Sequence, residues 1–379
     1  MEMKQVCLVL LLLLSGVSWG NDRDIEIPIS SKVFKQQRTV HISLPTGYFS
    51  RENKARRYPV LYLTDASAQL EHAASMIHYL QGGISEMIVV GIETRSRSRD
   101  LSPYGDNGQV ITNPEQHQLL TFIRTEVMPL VEQRYRTNSF DLLSGHSLGG
   151  LFTLYSMLSA PELFDVYIAL SPALGWGSRN FLPFVEQHPQ RLKLDKTLII
   201  STEGDTPFEQ QIPNFIRLRK NLDAHAGPKL NWHADIYEAE DHMTIAHIGL
   251  YDAVRYVFRN WWITGEQIKG DKRQFDKHYQ GLSDRLGYQV VPEFNELWGL
   301  SNYLIVKEYL EEAEYIVNKW IDYYPHTAEP YGMLSRVLMA KDSPQLAMEA
   351  VNTAINLSVD DASQLVWLKK QKTKIQQAL

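Results

Sequence analysis

The stretch Phe140-Asp141-Leu142-Leu143-Ser144-Gly145-His146-Ser147-Leu148-Gly149-Gly150-Leu151 decides how this chain is read. The apolar run Phe140–Leu143 has strand length, the residues Leu151–Leu158 have helical character, and Gly145-His146-Ser147-Leu148-Gly149 joins them. A serine at the apex of so tight a strand-to-helix turn has strained dihedrals, and a Cβ on either flanking glycine would clash with neighbouring backbone. A hydroxyl at a helix start also sits where free N–H groups and the helix dipole favour developing negative charge. The segment therefore predicts a nucleophile elbow with Ser147 as nucleophile.

Working outward, apolar strand-length runs alternate with amphipathic stretches. Arg38–Leu44 alternates polar and apolar residues, and Pro59–Thr64 and Met87–Ile92 are continuous buried-type runs. Helical patterns cover Gln69–Leu80 and Pro114–Tyr135. After the elbow come strands Val166–Leu170, Thr197–Thr202 and Trp232–Tyr237, then helix Ala246–Trp262. This alternation predicts an α/β fold, a mainly parallel sheet with helices on both faces, whose reactive groups collect beyond the carboxyl ends of the strands.

Gly265–Asp271 is polar and marks a boundary, so residues 21–268 are expected to form one domain and residues 272–379 a smaller all-α region. Trp298, Asn302, Tyr309, Ala313 and Pro325 are followed 34 residues on by Gly332 and Ala347, with Ala350 and Ala354 falling at Ile316 and Trp320. That period is the tetratricopeptide spacing. Such a TPR-like region is expected to offer a surface for a protein partner or for self-association.

Lys4, the apolar core Val6–Leu14 and the small-residue end Ser18-Trp19-Gly20 read as an export signal over residues 1–20, cleaved near Gly20–Asn21. Its apolar core is too short to span a bilayer, so no stable membrane insertion is expected and the chain should be periplasmic or secreted. Cys7, the only cysteine, lies in this signal, which leaves the mature chain without disulfide, thiolate or Cys-ligated metal chemistry. The composition, 44% hydrophobic and 22% charged over 379 residues, is that of a globular protein. A net charge of −6 argues against a nucleic-acid partner.

A serine needs a base, and the base an orienting acid. In the order serine, acid, histidine, the base should lie just after the last strand, where His242 sits in Glu238-Ala-Glu-Asp-His-Met. His247 falls in the following helix and His146 on the wrong side of the elbow, where it reads as packing. The acid should follow strand Thr197–Thr202, in Thr-Glu-Gly-Asp. Asp205 is preferred because it follows the glycine that ends the strand, and Glu203 is the alternative. The oxyanion hole is expected from the backbone N–H groups of Leu148 and of the loop Asp65-Ala66-Ser67, with Ser67 preferred. Arg97, in the arginine-rich loop Arg95–Arg99, and Trp176, after strand Val166–Leu170, are the candidate substrate contacts. No metal or cofactor is required by this chemistry.

The set Leu44-Pro-Thr-Gly-Tyr48, Tyr58-Pro-Val-Leu-Tyr-Leu-Thr-Asp65, Arg99-Asp-Leu-Ser-Pro103, Ser144-Gly-His-Ser-Leu-Gly-Gly150 and Ser171-Pro172 resembles the putative-esterase family of α/β-hydrolases, over roughly residues 30–262. This family contains esterase D-like enzymes and siderophore esterases. The resemblance implies an α/β-hydrolase fold and a serine esterase acting on a small-molecule ester, with Ser147 as nucleophile, His242 as base and Asp205 at the acid position. Relatives often carry glutamate there, which keeps Glu203 open, and many have Asp-Gly where this chain has Asp65-Ala66. Transfer of the acyl group to an alcohol, or a binding module on an inert scaffold, are the alternative functions.

Overall fold

In the computed structural model, which describes residues 23–358 and 361–379, eight strands form one sheet in the order β1-β2-β4-β3-β5-β6-β7-β8. The export-signal reading and Cys7 lie outside the described residues. The strands are β1 (Asp24–Ser31), β2 (Gln36–Ser43), β3 (Tyr58–Thr64), β4 (Ile88–Ile92), β5 (Thr137–His146), β6 (Val166–Leu170), β7 (Thr197–Asp205) and β8 (Asn231–Asp241). The pairs β1–β2 and β2–β4 are antiparallel and all others parallel. The chain steps from β3 out to β4, then returns past β3 to β5. The loops after β3 and β5 therefore diverge and leave a cleft at the carboxyl edge.

Strand β3 shows why the sequence folds this way. All seven of its residues are buried, and its alternation sends Val60 and Tyr62 into one core and Leu61 and Leu63 into the other. Helix α1 (Ala66–Tyr79) follows β3, and the short helix α2 (Arg97–Asp100) follows β4. Helix α3 (Gln118–Phe122) runs through a π-helical turn, Ile123–Val127, into α4 (Met128–Arg134). His117 caps α3: its Nδ1 accepts from the Leu120 N–H at 3.3 Å, and its Nε2 lies 3.0 Å from the Ser102 carbonyl. Helices α5 (Leu148–Ser159), α6 (Leu182–Gln187), α7 (Gln211–His225) and α8 (Ile245–Val257) complete the layers. The first core packs α3 to α7 on one face, and the second packs α1 and α8 on the other.

Strand β1 was not anticipated from the sequence. Asp24–Ser31 is an edge strand with a half-exposed alternation and an internal proline, so its hydrophobic signal is weak. It pairs along its whole length with β2.

Beyond α8 the chain is helical: α9 (Gly265–Ile268), α10 (Gln274–Leu286), α11 (Phe294–Val306), α12 (Leu310–Tyr323), α13 (Glu329–Ala340), α14 (Pro344–Leu357) and α15 (Ala362–Ala378). The 34-residue period is visible as α12 starting at Leu310 and α14 at Pro344. The paired small residues Ala313 and Ala347 are both fully buried. The helices do not hang from a linker. The core on the α1–α8 face runs without a break through Phe258, Trp261 and Ile268 into Leu297, Ile316 and Trp320.

A buried ion cluster closes this seam. Arg56, before β3, contacts Glu86 at 2.8 Å and Glu293, at the start of α11, at 2.7 Å, with all three side chains nearly inaccessible. Burial pushes the Glu86 carboxyl up to about 7 although Arg56 opposes it. Removing one partner strands the other charges in a low-dielectric site. Arg56→Ala is therefore expected to cost about 3–5 kcal/mol of stability, read from the urea midpoint.

Candidate active site

Ser147 stands at the apex of the β5–α5 turn with φ 59° and ψ −116°. Its surroundings explain why only glycine serves at the two positions that flank it at a distance of two residues. A Cβ on Gly145 would lie 2.3 Å from the Gly149 carbonyl oxygen, and one on Gly149 would lie 2.4 Å from Thr64 Oγ1. The turn is thus clamped between its own backbone and the end of β3, and the serine hydroxyl is held at the cleft. Its N–H donates to the Leu170 carbonyl at 2.9 Å, which ties the elbow to β6.

His242, in the loop between β8 and α8, brings Nε2 within 3.1 Å of Ser147 Oγ and Nδ1 within 2.9 Å of Glu203 Oε1. Glu203 is fully buried. Burial alone would raise its carboxyl, but the hydrogen bonds from His242 and Ser171 outweigh it and hold the group down at about 2. The arrangement can pass a proton from the serine hydroxyl to the imidazole, while the carboxylate fixes the imidazole tautomer.

Asp205 does not reach this site, which corrects the preferred reading of the acid. The segment Thr-Glu-Gly-Asp is not a turn: β7 runs on through it and pairs Asp205 with Asp241 of β8. Gly204 does not end the strand; a Cβ there would lie 2.6 Å from Glu238 Cα, so the glycine admits the neighbouring strand. Two residues of strand rise, roughly 6–7 Å, carry the Asp205 carboxylate past the imidazole into solvent, where it is exposed.

The N–H groups of Leu148, Ala66 and Ser67 donate to no internal partner among the described residues. They are the first-turn donors of α5 and α1, and both helix starts border the serine. Asp65 opens α1 with φ 56°, and its carboxylate accepts from the Thr94 hydroxyl and from Arg97 Nε at 3.0 Å, with Arg97 Nη2 at 2.9 Å. The loop after β3 is thereby tied to the loop after β4. The methyl of Ala66 finds its space over Gly91, where a Cβ would come within 2.9 Å of it.

A cavity of about 260 Å³ opens beside Ser147 and His242, with Ser67, Arg97, His146 and Met243 among its lining residues. Arg97 is half-exposed there, its charge partnered by Asp65. Trp176 does not line this cavity. It lies in the turn Trp176–Ser178 and packs, partly buried, against the main core, which corrects its reading as a substrate contact. Phe208, in the loop after β7, was not anticipated: it is 51% exposed and meets the His242 ring edge-on at 5.1 Å. Ser171, Thr202 and Gln211 were also missed, although Ser171 is the residue that follows β6 at the carboxyl edge.

His146 is buried, with its ring 4.7 Å from that of His242. Burial first, and the neighbouring imidazole second, lower it to about 4; burial lowers His117 to about 4 as well. A depressed histidine is neutral in the folded state while the unfolded chain takes up a proton, so stability rises with pH between the folded value and 6.5. On acidification from pH 7 to pH 5 each of these histidines is expected to cost about 2 kcal/mol. Urea unfolding at the two pH values tests this, and His146→Gln should remove its share of the difference.

A mainly parallel eight-stranded sheet, with serine, imidazole and carboxylate meeting at its carboxyl edge, places the protein among the α/β-hydrolases. The family model described as Putative esterase matches residues 31–222, just over half of the 379 residues. The chain is 26% identical over 273 residues to the siderophore triacetylfusarinine C esterase of Aspergillus fumigatus, covering 59% of this chain and 89% of that protein. It is 26% identical over 227 residues to the ferri-bacillibactin esterase BesA of Bacillus subtilis, covering 54% of this chain and 73% of that one. Among solved structures, an IroE-like serine hydrolase from Shewanella oneidensis matches with a TM-score of 0.69 at 28% identity, over 79% of this chain and 99% of its own. The chain belongs to the Putative esterase family and is a carboxylic ester hydrolase.

Among the described residues no helix is long and apolar enough to cross a membrane, and no group of three or more His, Cys, Asp or Glu is placed to hold a metal ion.

Proposed function

We propose that the protein is an exported siderophore esterase that works through an acyl-enzyme on Ser147. The observation that carries the mechanism is the pair of contacts made by His242, 3.1 Å to the Ser147 hydroxyl and 2.9 Å to Glu203. Ser147 Oγ attacks the ester carbonyl as His242 Nε2 takes its proton, and the carbonyl electron pair moves onto oxygen. The N–H groups of Leu148 and of Ala66 or Ser67 receive that charge. Collapse expels the alcohol, which leaves with the proton from His242; water then enters by the same route and releases the acid.

The substrate class is supported by the names of the two curated relatives, a siderophore triacetylfusarinine C esterase and a ferri-bacillibactin esterase. Export is supported by the Lys4 to Gly20 pattern, which suits an enzyme meeting a ferric chelate outside the cytoplasm. A fluorophosphonate probe should add its mass to the mature protein at Ser147. A substrate panel should then show hydrolysis of a catecholate or hydroxamate triester at a kcat/KM at least tenfold above that for a short-chain p-nitrophenyl ester. Labelling without triester cleavage would overturn the substrate class and leave the hydrolase.

A further inference from the structure

Behind Glu203 lies an amide with an arrangement of its own. Gln211, the first residue of α7, is buried and places Nε2 at 3.1 Å from Ser171 Oγ, 3.0 Å from Thr202 Oγ1 and 3.4 Å from the Pro172 carbonyl oxygen. The carbonyl can only accept, so the nitrogen and not the oxygen of the amide faces this group. An amide nitrogen carries two protons, and its two shortest contacts are the two hydroxyls. Each hydroxyl then has a lone pair occupied and must aim its own proton elsewhere.

The acceptor available to both is Glu203. Thr202 Oγ1 donates to Glu203 Oε2 at 3.1 Å. Ser171 Oγ lies 3.1 Å from His242 Nδ1, whose proton is already directed at Glu203 Oε1, and the Ser171 hydroxyl is itself a hydrogen-bond donor to the same carboxylate. Ser171 is held for this at φ 42°, a backbone conformation uncommon for serine.

We propose that Gln211 is a positioning residue for the acid of the relay, setting the rotors of Ser171 and Thr202 so that both hydroxyls donate to Glu203. The inference rests on the serine-hydrolase reading above. It explains how a fully buried carboxylate stays ionised beside a histidine, with the acid's low value as its consequence. The other titratable groups that interact with this carboxylate are His242, His146 and Asp241, and Glu238 lies against the neighbouring Gly204. None of them is a partner of the Gln211 amide.

The test uses the isosteric Gln211→Glu. A carboxylate at this position accepts from both hydroxyls, draws their protons off Glu203 and sets a like charge behind it. The kcat/KM for an activated ester at pH 7 is expected to fall about a hundredfold, and the acid limb of its pH profile to move up by about one unit. Gln211→Met, which frees the rotors without adding charge, should lose about tenfold with a smaller shift in the same direction. Thr202→Val should resemble Gln211→Met, and Thr202→Ser should recover most of that loss.

Melting temperatures identify a variant that fails to fold, in which case the remaining variants decide. The proposal is overturned if the folded Gln211 variants stay within twofold of wild type with an unmoved acid limb, or if Thr202→Ser loses as much as Thr202→Val. A wild-type protein that resists a fluorophosphonate and cleaves no ester would instead defeat the hydrolase reading, so the two failures are distinct.

Discussion

Replacing Ser147 by alanine is expected to lower kcat/KM for a carboxylic ester by about 10⁶-fold, and adding His242→Ala to that variant is expected to cost less than about threefold more. The reason is that the two side chains act as one unit. His242 Nε2 has a single task, at 3.1 Å from Ser147 Oγ, and without the hydroxyl there is no proton for it to take. His242→Ala alone should cost nearly as much, because a serine hydroxyl without a base is a poor nucleophile. Residual activity of about 10³-fold over water should survive in all three variants, since the Leu148 and Ala66–Ser67 N–H groups are backbone and remain. Active-site-titrated kinetics, with intact-mass detection of fluorophosphonate adducts, gives both numbers. Additive losses in the double variant would mean that His242 serves some step other than activating Ser147.

The elbow was legible in the sequence because its demands are local. A serine held at φ 59° between glycines 145 and 149 is recognisable from a short window, because at Gly145 the turn's own backbone at Gly149 leaves no space for a Cβ; at Gly149 the space is taken by Thr64 of β3, which the window does not contain. His242 was legible for a similar reason, as the histidine just after the last strand. The acid was not, because the choice between Glu203 and Asp205 turns on where β7 stops. That is decided by β8, whose backbone approaches at Gly204 and extends the ladder to the Asp205–Asp241 pair. A glycine that reads as a terminator in one dimension is a point of close approach in three.

The hydroxyl and amide support was illegible for a stronger reason. Ser171, Thr202 and Gln211 belong to separate segments and meet only because β6 and β7 are neighbours and α7 begins against their carboxyl ends. Strand order is a property of the whole sheet, and no window of sequence carries it. Arg97 shows the intermediate case. Its place beyond β4 put it in the cleft wall, but its clamp on Asp65 depends on the αL opening of α1, which nothing in Thr64-Asp65-Ala66 announces.

The acid is also where reading and structure part most sharply, so it yields the second large prediction. Glu203→Gln is expected to lower kcat/KM by about 10⁴-fold, while Asp205→Asn should stay within about threefold of wild type. The glutamine is the same size, so the loss is one of proton direction. An amide nitrogen toward His242 would force Nδ1 to accept, which puts the imidazole proton on Nε2, facing Ser147, where it blocks proton transfer. An amide oxygen toward His242 keeps the tautomer but removes the charge that stabilises the imidazolium formed during attack. Glu203→Asp should fall between, about 10–100-fold down, because the shorter side chain withdraws from a contact that stands at 2.9 Å while the Thr202 hydroxyl still competes for it. Asp205 has no comparable stake: it is exposed, one ladder pair beyond the site, and its removal leaves every contact of the imidazole in place. The reverse outcome, with Asp205→Asn inactive and Glu203→Gln spared, would require the end of β7 to peel from β8 and fold back over His242. That movement would break the close approach at Gly204 and leave a buried carboxylate without the histidine that keeps it charged.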